Sequence, residues 1–284
     1  MKLKENDKVL LVASSNQLQK NNKEILNEII SILKGFKLNV ILAKGLIKED
    51  CKFSSGLFRG KELMKGFEDP NIKYIFDISG GDLCNEILPY LDFDLIKNSN
   101  AIYFGYSDLS VLLNSIYSNS NKKSYYYNIK TILSNEGLEN FYNTFINENI
   151  NESLFSSWKY KWLIKKEFSG IVVGGNIRCT LKLAGTKYMP EFKYKILFLE
   201  SNGGDITKIR SFIAQYKMLG IFNDIKGIIL GQFTEIDLKN EWEELENIFI
   251  SICSSKNIPL IKTNDIGHSI NSKGICIGGF LKIS

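Results

Sequence analysis

Ile102-Tyr103-Phe104-Gly105-Tyr106-Ser107-Asp108 sets three apolar residues before a glycine, a serine and an aspartate, and Leu109, Leu112, Leu113, Ile116 and Tyr117 follow at helical spacing. This pattern predicts a short buried strand that passes through a sharp turn into a helix. A serine on such a turn stands above the sheet. The next N–H, that of Asp108, lies at a helix N-terminus, where it can hold an oxyanion. Leu109 replaces the last glycine of the hydrolase pattern Gly-x-Ser-x-Gly. The alternative is that Ser107 or Asp108 only caps the helix, since both residue types are preferred there.

The same alternation extends outward. Val9–Ala13 reads as a buried strand, Leu18–Leu33 as a helix with Ile25, Leu26, Ile29, Ile32 and Leu33 on one face, and Leu38–Ala43 as a second strand. Lys61–Phe67 reads as helix, Tyr74–Ile78 as a strand ending in Ser79-Gly80-Gly81-Asp82, and Leu83–Leu91 as helix. Residues 1–120 are therefore expected to form an α/β domain with a parallel, flavodoxin-like sheet, binding ligands beyond the carboxyl ends of its strands. Residues 121–165, rich in Asn, Ser, Lys, Tyr and Glu, read as a connecting segment with some local helix. Strands resume at Ile171–Val173, Lys195–Leu199, Gly227–Leu230, Pro259–Ile261 and Ile275–Ile277, with helices at Ile206–Met218 and Trp242–Cys253. Residues 166–284 thus read as a second domain, mixed α/β and β-rich.

Composition narrows the function classes. The 284 residues are 44% apolar and 24% charged, an ordinary globular mixture that excludes whole-chain disorder. The formal charge of +5 comes mostly from lysines interspersed with acids, which argues against a nucleic-acid partner. Only Arg59, Arg178 and Arg210 can supply a bidentate clamp. No run approaches the ~18 apolar residues of a spanning helix, so no membrane role is expected. Cys51, Cys84, Cys179, Cys253 and Cys276 have no close-spaced pair, which fits a reducing cytoplasm and no zinc knuckle. A single histidine, His268, excludes zinc sites built on several imidazoles. No two glycines sit two apart and no Gly-Lys is followed by Ser or Thr, so the dinucleotide and P-loop fingerprints are missing and no cofactor is expected.

Three further segments are candidates for chemistry. Gly80-Gly81 ends the strand beside Ser107, allows close backbone approach and can supply a second oxyanion N–H; alone it is a tight turn. Leu197-Phe198-Leu199-Glu200 puts a carboxylate at the end of an apolar strand, where burial demands a partner; a solvent-facing strand end is the alternative. Gly267-His268-Ser269 sits on a small-residue loop, where a surface histidine is the ordinary outcome. Together Ser107, Glu200 and His268 occur in the order nucleophile, carboxylate, histidine, each at a strand end.

These residues resemble the LD-carboxypeptidase family of serine peptidases, which includes the microcin C immunity peptidases. The likeness rests on Gly105-Tyr106-Ser107-Asp108, Gly80-Gly81, Gly174-Gly175-Asn176, Gly185-Thr186-Lys187-Tyr188-Met189-Pro190, Leu199-Glu200, the strand Gly227 to Phe233, and Gly267-His268. It implies a catalytic Ser107, Glu200 and His268 at a domain junction, often in a homodimer, and no metal or organic cofactor. It also implies one of two substrates: a murein peptide cut at an L,D-bond, or an aminoacyl-nucleotide amide. Arg178 beside a glycine turn is a candidate for reading a substrate carboxylate, with a surface ion pair as the alternative. Trp158 and Trp162 are candidate stacking platforms, with core packing as the alternative. Gly80, Gly81 and Asp108 would form the oxyanion hole. Ser201, Ser110 and Tyr125-Tyr126-Tyr127-Asn128 depart from the family pattern. A peptide- or nucleotide-binding module that retains the cleft without catalysis is the reading from another class.

Overall fold

The computed structural model describes residues 2–48, 53–147 and 153–284. Cys51 and part of the expected connecting segment, 148–152, lie outside them. The strands are β1 (Lys8–Val12), β2 (Asn39–Leu42), β3 (Ile72–Asp77), β4 (Ile102–Gly105), β5 (Ser124–Tyr126), β6 (Lys161–Ile164), β7 (Phe168–Asn176), β8 (Ile196–Ser201), β9 (Gly227–Phe233), β10 (Leu260–Lys262), β11 (Ile275–Ile277) and β12 (Phe280–Ile283).

They form two six-stranded sheets. The first has the order β11-β5-β4-β3-β1-β2, and its β2-β1-β3-β4-β5 part is all parallel, the flavodoxin-like order expected from the βα alternation. The second has the order β12-β7-β8-β9-β10-β6, with β7 to β10 parallel and an antiparallel strand on each edge. In β1 the alternation of side chains sends Val9 and Leu11 to one face with Leu26, Ile29 and Leu33, and Leu10 and Val12 to the other with Leu63, Met64 and Phe67. Helices thus cover both faces of the first sheet.

The helix Ser110–Ser120 is the junction. Ser110 to Ile116 are all buried, because Val111, Leu112, Leu113 and Ile116 share one apolar cluster with Tyr103 of the first sheet and Phe198 and Ile229 of the second. A helix buried all round needs internal partners for its polar side chains. Asn114 finds them across the junction: its Nδ2 donates to Gly174 O at 2.7 Å and its Oδ1 accepts from Gly174 N at 2.9 Å.

Several expectations are corrected. Residues 121–165 do more than connect: β5 extends the first sheet, β6 edges the second, and Ile129, Ile132, Phe141 and Phe145 fill the first sheet's core. The sheet boundary also departs from the sequence boundary, since β11 returns to pair with β5 in the first sheet. Leu83–Leu91 forms a 3-10 segment, Cys84–Tyr90, with Pro89 inside it, which removes a helical donor. The first long helix starts later than its apolar pattern suggests, at Lys23, after a 3-10 turn at Lys20–Asn22.

Ile277 on β11 is fully buried among these clusters. Ile277→Ala is expected to cost about 2–5 kcal/mol, read as a lower urea midpoint in equilibrium unfolding. A loss under about 0.5 kcal/mol would show that β11 contributes little to the first sheet.

Candidate active site

The turn after β4 is strained as a strand-to-helix elbow requires. Ser107 has φ 56°, in the left-handed region that residues other than glycine seldom occupy. Gly105 permits the tight approach, since a Cβ there would meet Leu109 at 2.8 Å. Three contacts hold the turn: Ser107 N donates to Tyr126 Oη at 3.0 Å, Ser107 O accepts from Ser110 Oγ at 2.7 Å, and Ser110 Oγ accepts from Asn176 N at 2.8 Å. Neither Ser107 nor Asp108 acts as a side-chain cap of the following helix. Among the described residues the Ser107 hydroxyl has no hydrogen-bond partner.

Asp108 spends its carboxylate elsewhere. It is wholly buried and accepts from Ser15 Oγ at 2.6 Å, Cys84 N at 2.9 Å and the Lys182 ammonium at 2.5 Å. Lys182 also donates to Asp82 O at 2.8 Å, so one lysine of the second domain grips both the Ser107 turn and the Gly80-Gly81 turn. Gly81 has φ 111°, and a Cβ there would lie 2.4 Å from the Asn16 side chain, which accepts from Asp82 N and Leu83 N. Beneath this turn Asp77, at the end of β3, accepts from Ser14 N, Ser79 N, Ser79 Oγ and Tyr103 Oη. Burial still pushes the Asp77 carboxyl above its ordinary range.

Glu200, in the last turnings of β8, has no exposed surface. Its Oε1 accepts from Asn176 Nδ2 at 2.9 Å and its Oε2 lies 2.6 Å from His268 Nδ1. Gly231 of β9 makes room, since a Cβ there would sit 3.0 Å from Glu200 Cβ. A carboxylate can only accept, so in the neutral imidazole Nδ1 is the nitrogen that carries the proton and Nε2 the one with the lone pair. That Nε2 is buried without a hydrogen-bond partner. Gln232 fixes the histidine loop from both sides, its N donating to Ile266 O at 2.8 Å and its Oε1 accepting from Ser269 N at 2.8 Å. The His268 ring packs on Tyr106, next to Ser107, with centroids 5.4 Å apart.

A cleft of about 400 Å³ opens beside Ser107, lined also by Gly81, Asp82, Asn176, Arg178 and Lys208. The Arg178 fork is engaged: Nη1 meets Asp82 Oδ1 at 2.5 Å and Nη2 donates to Gly81 O at 3.2 Å. Trp158 and Trp162 do not line this cleft. Trp158 is 7% exposed within the apolar core, and Trp162 belongs to a ladder of rings that runs from Trp158 through Tyr160 to Phe168. Burial pushes the nearby Cys84 and Cys179 thiols up, so neither offers a thiolate at neutral pH. Among the described residues no group of His, Cys, Asp and Glu is placed to hold a metal ion, and no helix is long and apolar enough to cross a membrane.

Sequence reasoning missed Tyr126, Ser110 and Lys182 as supports of this site. Tyr126 is one of three successive tyrosines and carries no distinguishing signal. Asn176 stood in a quoted motif, yet nothing in the spacing tied its amide to Glu200.

Two family models match the chain: the LD-carboxypeptidase N-terminal domain over residues 9–127 and the LD-carboxypeptidase C-terminal domain over residues 169–283. A Vibrio cholerae protein provisionally named a carboxypeptidase is 27% identical over 240 residues, 74% of this chain and 72% of its own length. The microcin C7 self-immunity protein MccF of Escherichia coli is 27% identical over 270 residues, 83% of this chain and 78% of its own. An MccF-like protein from Bacillus anthracis shares the fold with a TM-score of 0.85 at 24% identity, covering 99% of this chain and 94% of that one. A structure of MccF in complex with glutamyl sulfamoyl guanosine has a TM-score of 0.84 at 20% identity, with the same coverage. With residues 9–127 and 169–283 matched in order by its N- and C-terminal domain models, this chain belongs to the LD-carboxypeptidase family of peptidases.

Proposed function

We propose that this protein is a serine amide hydrolase in which Ser107 is the nucleophile, His268 the general base and Glu200 the group that orients the imidazole. The observation that carries this reading is the buried His268–Glu200 pair at 2.6 Å, with Nε2 unpartnered among the described residues on a ring that packs against Tyr106 of the strained turn. In the first step Ser107 Oγ attacks the substrate carbonyl while its proton passes to His268 Nε2. The tetrahedral intermediate then expels the amine, which takes that proton, and an acyl-serine remains. Water, deprotonated by the same nitrogen, releases the acid and restores Ser107. Asp108 N–H and the Gly80-Gly81 turn are the candidate donors to the oxyanion, each worth roughly 3–4 kcal/mol in comparable sites.

The relatives and the cleft support an acidic amide as the substrate class. A relative in Bacillus subtilis is named a murein peptide carboxypeptidase, and MccF has been captured with glutamyl and aspartyl sulfamoyl nucleosides. Both kinds of molecule present a small acidic acyl or leaving group on an amide. In the cleft beside Ser107 Asp82 pairs with Arg178, and Lys208 adds a further positive charge, which suits a negatively charged substrate. The two sources separate on incubation of the protein with a murein tetrapeptide and with aspartyl sulfamoyl adenosine in parallel, followed by mass spectrometry. Cleavage of neither, with no labelling of Ser107 by a fluorophosphonate, would favour the non-catalytic binding module.

Ser107→Ala is expected to lower kcat by roughly 10⁴-fold or more while the melting temperature stays within a few degrees, because the hydroxyl holds no other group. Retained turnover would remove Ser107 from the mechanism. Arg178→Lys keeps the charge and removes the fork. Since that fork holds Asp82 and Gly81, kcat/KM should fall alike for a tetrapeptide and its C-terminal amide. A rise in KM confined to the free acid would instead show that Arg178 leaves Asp82 to read the substrate carboxylate.

A further inference from the structure

We infer that Lys182 is a positioning residue for the reaction proposed above: its ammonium ties together the two turns whose N–H groups are the candidate oxyanion donors. The inference rests on that reading of Ser107, Glu200 and His268. Lys182 follows the short helix Ile177–Leu181 of the second domain, whereas both turns belong to the first, Gly80-Gly81 after β3 and Ser107-Asp108 after β4. The lysine side chain crosses the junction only 18% exposed. Its Nζ donates to Asp82 O at 2.8 Å and to Asp108 Oδ1 at 2.5 Å. The other oxygen of that carboxylate accepts from Cys84 N at 2.9 Å and from Ser15 Oγ at 2.6 Å, and Ser15 Oγ in turn accepts from Leu83 N at 3.2 Å.

These bonds close a ring. It runs from Asp82 O through the ammonium and the Asp108 carboxylate to Cys84 N, and the backbone from Asp82 to Cys84 completes it. A carboxylate and a carbonyl can only accept, so Asp108 cannot hold Asp82 O by itself, and an ammonium with three N–H groups can join the two. Charge compensation explains the bond to Asp108, but it leaves the bond to Asp82 O without a reason. That second bond acts on a turn whose Gly81 stands at φ 111° with no side chain to anchor it. Arg178 holds the same turn through Asp82 Oδ1 and Gly81 O, and Lys182 adds the link to Asp108. Lys182 is absent from the residues that line the cleft beside Ser107, so it acts on the spacing of the donors rather than on the substrate. A misplacement of about 1 Å can cost roughly 100-fold in rate. A fixed gap between the Asp108 N–H and the glycine turn therefore counts in the transition state, where the oxyanion forms, more than in substrate binding.

The test compares wild-type protein and Lys182→Met in the rate of Ser107 labelling by a fluorophosphonate and in kcat and KM for whichever amide the wild type cleaves. The expected result is a fall of about 10- to 100-fold in labelling rate and kcat, with KM changed less than about threefold. Wild-type labelling rates in folded Lys182→Met overturn the inference and leave the serine mechanism standing. A raised KM at unchanged kcat also overturns it, since that pattern belongs to a group that binds substrate. Absence of labelling in the wild type overturns the mechanism, and the inference with it. Lys182→Met leaves the Asp108 charge buried without its cation. Should that variant fail to fold, Lys182→Met/Asp108→Asn is compared with Asp108→Asn, which keeps the ammonium and its donor to Asp82 O. A further fall in labelling rate of about tenfold or more supports the inference, and equal rates overturn it.

Discussion

A carboxylate with no exposed surface stays in a folded protein only where donors replace its lost water, because an unpaired buried charge costs several kcal/mol. Glu200 is that group. Its partners arrive from two separate places: Asn176 at the end of β7 and His268 on the loop after β10. The two are far apart in the chain, so the carboxylate is satisfied only when β7, β8 and the histidine loop have reached their final positions. The site is thereby made a condition of the fold.

Asp108, the residue after Ser107, repeats this arrangement. It is also fully buried, and it too draws a donor from the second domain, Lys182. The residue before Asp108 is a serine held at φ 56°, a conformation that persists only if its surroundings over-determine it. The helix Ser110–Ser120 supplies the rest of that determination. Its apolar residues belong to the cores of both sheets, and Ser110 and Asn114 bond to β7 and its end. Strain at Ser107, burial of two acids and the continuity of the core are thus one problem with one solution.

Much of this was legible in the sequence because it depends on local pattern. The strands β1, β3, β4 and β9 are apolar runs ended by turn residues, and the Ser107 elbow, Glu200 and His268 all sit where such runs stop. Legibility ended where contacts became nonlocal. The tyrosines of β5 lie in a polar stretch and become core only because β11 and β4 flank them. Arg178 adjoins a glycine turn as expected, yet whether its fork faces ligand or protein depends on Asp82, which is remote in the chain. Trp158 offered an aromatic face on paper, and burial took that face away. Local chemistry named the candidate reacting groups, and tertiary geometry showed which of the other side chains are supports.

The return of β11 to the first sheet sets the order in which the molecule can be completed. During synthesis β4 and β5 emerge long before residues 275–277, so the first sheet waits with the free edge of β5 exposed while the entire parallel part of the second sheet is made. An unpaired edge invites pairing with another chain. Here the exposed edge is Ser124-Tyr125-Tyr126, the segment whose last residue meets the nucleophile. A ribosome that stalls between the two domains would therefore release a half-molecule with an adhesive strand and an unsupported serine turn, and a gene cut at the apparent domain boundary would yield two pieces, neither of which contains a whole sheet of the first kind.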